Sequence, residues 1–168
     1  MLFLIDANVL IDAHRDYYPL DRVPEFWDWL LYQAEIGAIK IPIEIYEEIV
    51  DGEGPLVEWL VDRNVKATLV LHDEVDAGLV TTAVTTGYAA DLTDDEQIKV
   101  GRDPFLVAHA LADATNRCVV TTEVSKPSKT RANRKLPDVC AANGVECHNT
   151  FELVRRLDFS TSWRRPAS

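Results

Sequence analysis

Cysteine is scarce: Cys118, Cys140 and Cys147 make an odd number with no CxxC pair, which argues against a disulfide framework and against a thiolate zinc site. They are expected to be buried thiols. The four histidines, His14, His72, His109 and His148, are scattered and offer no pair at the helical spacing of a metal site. No Gly-rich phosphate loop is present among the seven glycines. The apolar runs are far shorter than the roughly 20 residues that a membrane-spanning helix needs. The amino terminus has no basic leader and no small-residue cleavage site, so no secretory signal is expected and the cytosol is the expected compartment. Positive charge is also short: 17 lysines and arginines face 28 acids, for a net charge of -11. That is the opposite of the basic footprint from which most nucleic-acid binders draw their affinity. One local basic strip exists nonetheless, made of Lys126, Lys129, Arg131, Arg134 and Lys135.

What is present is a composition of 47% hydrophobic and 27% charged residues over 168 positions, enough to close one sizeable core. Residues 1–5 form an apolar run that ends at Asp6, as expected of a strand buried on both faces of a parallel sheet. A crossover helix is expected from Pro24, preceded by Asp21, with Trp27, Leu30, Leu31 and Ala34 at helical spacing and Gly37 as its stop. A strand over 38–41 follows, then a helix from Pro42 with Ile45 and Ile49 on one face, carrying Glu47 and Glu48. Residues 55–63 read as helix and 67–71 as strand, while the β-branched stretch 79–88 fits either, with helix favoured. Asp103-Pro104 opens a helix with Phe105, Val107, Ala108 and Leu111 inward, and a strand over 117–121 runs into Glu123. A basic loop over 125–135, a helix over 137–142, a strand over 144–148 and a helix over 151–157 complete the pattern. The alternation predicts one α/β domain over residues 1–159, a three-layer α/β/α sandwich with a central parallel sheet, followed by a flexible tail over 160–168. Ligands of such sheets bind beyond the carboxyl ends of the strands.

Acids recur at those ends: Asp6 after the first strand, Asp103 at a helix start, Glu123 after a later strand. Clustered carboxylates repel one another and raise their own pKa values, so the cluster makes sense chiefly around a cation, and an all-oxygen donor set suits magnesium or manganese.

The segment Leu4-Ile5-Asp6-Ala7-Asn8-Val9-Leu10-Ile11 resembles the opening of PIN-domain nucleases, in which an Asp is followed two places on by Ser, Thr or Asn. Ile45-Tyr46-Glu47-Glu48-Ile49 is similar to that family's helix-borne Glu, Asp103-Pro104-Phe105-Leu106-Val107-Ala108 to its third acid, and Val119-Val120-Thr121-Thr122-Glu123 to its strand, Thr, acid element. Leu136-Pro137-Asp138-Val139-Cys140 and Glu146-Cys147-His148 resemble a subgroup related to VapC-type toxins, and the likeness runs to about residue 157. Glu123 stands where many relatives have Asp. The resemblance implies a PIN-like fold and a cytoplasmic Mg- or Mn-dependent endoribonuclease, the toxin of a toxin–antitoxin system, with RNA as substrate, an antitoxin as partner and a possible homodimer. It implies Asp6, Glu48, Asp103 and Glu123 as the catalytic, metal-binding acids, with Glu47 the alternative to Glu48 and Glu44 more distant. Asn8 and Thr121 would orient a carboxylate or phosphate, and Lys99, Arg102, Lys126, Lys129 and Arg131 would contact phosphates.

Plainer readings exist. Asp103 before Pro104 alone reads as an ordinary helix cap, the basic strip as a solvated loop, and Trp27, Trp29 and Trp59 as core anchors. Two other functions are open. A phosphoryl-transfer protein, a receiver or a haloacid-dehalogenase-like phosphatase, would use Asp6 as nucleophile, but the DxD of the latter is broken by Asn8. A catalytically idle PIN-like module would bind a partner only.

Overall fold

β1 (Leu2–Ile5) is buried from Phe3 onward, as a strand covered on both faces must be. The computed structural model describes residues 1–164. After β1 come α1 (Ala7–Asp12), a π-helical turn (Ala13–Tyr17), α2 (Pro24–Glu35), β2 (Ile39–Pro42) and α3 (Ile43–Val50). Then follow α4 (Pro55–Leu60), α5 (Arg63–Leu69), β3 (Val70–Leu71), α6 (Ala77–Gly87), α7 (Asp94–Val100) and α8 (Asp103–Leu111). The chain ends through β4 (Arg117–Val120), a 3-10 turn (Arg131–Asn133), α9 (Leu136–Ala142), β5 (Cys147–His148) and α10 (Thr150–Arg156).

The five strands run in the order β3-β2-β1-β4-β5, and every pairing is parallel. The expected three-layer α/β/α sandwich is what forms. α8 packs on the strands with α6 and α3 beside it, α9 lies against α6 and β5, and α2 and α5 pack on β2. From β3 at one edge the chain returns through α6, α7 and α8 to lay β4 beside β1, so the strand order reverses between β1 and β4. Their carboxyl ends open the crevice where ligands of such sheets bind. Trp27 and Trp29 are core anchors at 2% and 1% exposure, and Trp59 packs on Trp27.

Several boundaries differ from the sequence expectation. The segment 67–71 is helical through Leu69, because Asp62 caps α5 by accepting from the Asn64 and Val65 amides, and only Val70–Leu71 pairs as strand. β5 is two residues long rather than five. α1 and α7 were not expected, although α7 starts on a capping box between Thr93 and Glu96. The favoured helix at 79–88 forms, as α6, and Thr81, Thr82 and Thr85 adapt to it by donating hydroxyl hydrogen bonds to carbonyls one turn back. Gly87, the last residue of α6, allows the close approach of α9, because a Cβ there would lie 2.5 Å from Val139 Cγ1. Cys118 and Cys140 are buried as expected, whereas Cys147 is partly exposed. Within the expected flexible tail, Trp163 donates to the Glu25 carbonyl at 3.1 Å and packs on Tyr32; residues 165–168 lie outside the described ones.

Candidate functional site

Asp6 occupies the N-cap position of α1, yet its side chain makes no capping hydrogen bond. Its carboxylate is buried and instead accepts from the Thr121 hydroxyl at 2.8 Å, across the β1–β4 seam. The same Thr121 oxygen accepts from the Glu123 amide at 3.1 Å, so one hydroxyl ties the acid of β1 to the turn after β4. Burial pushes the Asp6 pKa up to about 6, against the Thr121 hydrogen bond, and the charges of Glu48 and Glu123 add to the rise.

Asp103 is the first residue of α8 rather than its cap, a position that Arg102 fills without a side-chain bond. The capping reading therefore fails and the carboxylate is free for another role. It accepts from the Tyr88 hydroxyl at 3.1 Å. Burial and then the Asp6 charge push its pKa up to about 7, with Glu123 and Glu48 contributing. Tyr88 is a site residue that sequence reasoning missed: it stands one place beyond Gly87 at the end of α6, and the packing of α6 on α8 brings it to Asp103. Its own pKa is driven above the usual tyrosine range by burial and by Asp103. Because this hydrogen bond favours the ionised form, Tyr88→Phe is expected to raise the Asp103 pKa further, seen as an upward shift of the Asp103 carboxyl midpoint in a carbon-detected NMR titration. An unmoved midpoint would remove Tyr88 from the site.

Among the α3 acids, Glu48 is exposed and its charge reaches both Asp6 and Asp103. Glu47 is held by Arg102 at 2.8 Å, and Glu44 by His109 at 3.1 Å. Glu123 is near the cluster electrostatically but turned from it: its oxygens accept from Lys135 at 2.5 Å and from the Leu136 amide at 2.7 Å, at the start of α9. Asn8 is exposed in the first turn of α1 and hydrogen-bonds to none of these acids.

Of the expected phosphate contacts, Arg102 and Arg131 are held by acids and Lys99 by an amide oxygen. Arg102 clamps Glu47 and the Glu44 carbonyl, and Arg131 forms a two-pronged pair with Glu96 plus a bond to Asp91. Arg134, also in the strip, bonds to the Gly87 and Asp138 carbonyls. Lys99, which donates to Asn133 at 2.6 Å, and Lys129 line a depression of about 340 Å³ together with Asp103, Glu123 and Lys135. Lys126 is exposed nearby in sequence.

A family model covers residues 3–161, from β1 to beyond α10, with the description "Domain of unknown function (DUF4411)". The chain belongs to the DUF4411 family. Every acid described above falls inside the matched span of this DUF4411 domain. No curated protein and no solved structure matches the chain.

A divalent ion fits the chemistry of Asp6, Asp103 and Glu48, three oxygen donors of like charge with two held at raised pKa, which is the condition that a hard cation relieves. Among the described residues, though, no three acids, histidines or cysteines converge closely enough to enclose an ion. Glu123, the fourth acid, is turned to Lys135.

Proposed function

We propose that this DUF4411 chain is a Mg- or Mn-dependent endoribonuclease. The observation that carries the reading is the buried carboxylate of Asp6 and the partly buried carboxylate of Asp103, at the crevice where the strand order reverses, neither capping its own helix and each held by one hydroxyl. An acid withdrawn from water with no cation beside it is costly, so a fold that sets a partly buried Asp103 in the field of a buried Asp6 suits something positive. Asp6, Asp103 and Glu48 would hold the metal, and the ion when bound supplies a hydroxide near neutral pH and neutralises a leaving oxygen. Thr121 orients Asp6, and Tyr88 orients Asp103. Glu123 anchors Lys135 at the start of α9, beside the depression where Lys99 and Lys129 would receive RNA phosphates. The likeness of the six motifs to PIN-domain nucleases and VapC-type toxins supplies the reaction class, and with it a cytoplasmic setting, an antitoxin that covers the crevice and self-association. Among the described residues no helix is long and apolar enough to cross a membrane.

The test is incubation of a mixed RNA with the purified chain in manganese, in magnesium and in chelator. Metal-dependent internal cutting is expected. RNA left intact under all three conditions, with no metal-induced change in melting temperature, overturns the reading; intact RNA with a clear melting shift leaves a metal-binding but idle module.

A further inference from the structure

Glu123 separates two depressions of different character. On one side lies the lysine-lined depression that contains Asp103. On the other, a groove of about 580 Å³ runs past the carboxyl ends of β4 and β5, walled by Tyr17, Tyr18, Pro137 and Phe151. Its size is that of a small-molecule site. Tyr17 and Phe151 are 52% and 54% exposed, and their rings meet edge to face at 5.7 Å and 78°. Two aromatic rings left in water side by side, from elements more than a hundred residues apart, forgo the burial that aromatic side chains otherwise gain.

The backbone beneath Tyr17 is also unusual. The Tyr18 amide donates to the Ala13 carbonyl at 2.6 Å, which closes the π-helical turn, and such turns concentrate at functional sites. Its effect is to send Tyr18 inward, where it stacks on Phe26 at 4.3 Å, while Tyr17 faces the groove. The acids of the rim are already committed. Asp12 and Asp16 bind Arg15 at 2.8 and 2.6 Å, and Glu152 accepts from the Asn149 amide at 3.0 Å. Arg15 is thus paired with acids, and among the described residues the groove is lined by no free lysine or arginine for a phosphate, but it has ring faces for a flat uncharged ligand. The Asn149 side-chain amide nitrogen has no protein partner among the described residues and can donate to a carbonyl of that ligand.

We propose that the Tyr17–Phe151 groove binds an unpaired nucleobase of RNA by stacking, with the neighbouring phosphate across Glu123 at the acids and lysines. The identity of the polymer rests on the ribonuclease reading above. Stacking is sequence-tolerant and requires a base outside a duplex, so the substrate class is single-stranded RNA.

The experiment is fluorescence-anisotropy binding of the full chain, in chelator so that nothing is cut, to a four-nucleotide RNA and to its abasic ribose-phosphate counterpart. Tyr17→Leu and Phe151→Leu keep apolar volume and remove the ring; both positions are half exposed, and an unchanged melting temperature checks the fold. The wild type should bind the base-bearing strand about tenfold more tightly than the abasic one, and each Leu variant should lose most of that preference while binding the abasic strand as before. Equal binding of both strands, no binding of either, or a preference that survives both Leu variants overturns the proposal. So does displacement of bound RNA by a basic apolar peptide with the two strands bound alike, since the groove would then be a protein-docking site. A chain that prefers the base-bearing strand but never cuts RNA keeps this inference and loses the ribonuclease reading; one that cuts without the preference does the reverse.

Discussion

Asp6→Asn and Asp103→Asn are each expected to lower the proposed metal-dependent RNA cleavage by at least about 1000-fold with the fold intact, because a metal's several kcal/mol of charge stabilisation converts at about 1.4 kcal/mol per tenfold in rate. The amide keeps the volume of the carboxylate and removes the charge that holds a cation. Neither side chain caps its helix, so neither substitution removes a helix start. Glu48→Gln acts in the same direction. Glu47→Gln serves as the internal control: its carboxylate belongs to Arg102, and cleavage should be unchanged. Activity within tenfold of wild type in both Asp variants would dismiss the assignment, as would a Glu47→Gln loss larger than that of Glu48→Gln.

In chelator, the chain is expected to lose stability as pH rises from about 4 to about 8. Asp6 and Asp103 titrate near 6 and near 7 in the fold, against an ordinary 3.8. Over that interval the native state holds protons that the unfolded chain has released. The stability contributed by the two protonated carboxyls is therefore full below 3.8 and is lost as pH passes 6 and then 7. At roughly 1.4 kcal/mol for each pH unit, ionising Asp6 in place costs about 3 kcal/mol. Asp103→Asn removes one charge and relieves the other, so at pH 8 in chelator it should raise the melting temperature by about 5 °C, whereas most substitutions of buried polar residues lower it. Millimolar magnesium or manganese should stabilise the wild type at pH 8 and have far less effect at pH 5, where protons occupy the carboxylates, and Asp103→Asn should have lost the response. Calorimetric scans at both pH values decide this. A variant less stable than wild type at pH 8, or a metal response that Asp103→Asn retains, would contradict it.

The sheet and the two central acids were legible in the sequence because their signals are local. An apolar run stopped by Asp6, and Asp103-Pro104 ahead of an apolar helix, each place a carboxylate at an element end without reference to the rest of the chain. Thr121 was legible for the same reason, two places before Glu123. What was not legible depends on partners distant in sequence. Glu47 and Glu48 differ by about 100° around α3, and what sets them apart, the ion pair of Glu47 with Arg102 in the turn before α8, lies 55 residues further along the chain. The basic strip reads as one feature, yet Arg131 is bound by Asp91 just before α7 and by Glu96 in its first turn, which leaves only part of the strip for phosphates. Tyr88 carries no local mark. α1 escaped notice because its six residues follow Asp6 with no capping side chain, and the capping box of α7 was hidden in an acidic stretch.

The crevice is assembled from the two ends of a long detour. β1 is made first, but its partner β4, with Thr121 and Glu123, follows more than a hundred residues later, after β2, β3 and eight helices. During synthesis at roughly 5–20 residues per second, a ribosome therefore carries Asp6 for several seconds before any chain exists that can bury it. A nascent or truncated chain that stops before residue 117 has β1 at an unpaired sheet edge, Asp6 without its hydroxyl, and no seam between β1 and β4. If the chain cuts RNA, it is harmless to the message and the ribosome producing it until β4 has been made and has paired with β1, and a proteolytic nick anywhere between the two strands that lets them part disarms it at once.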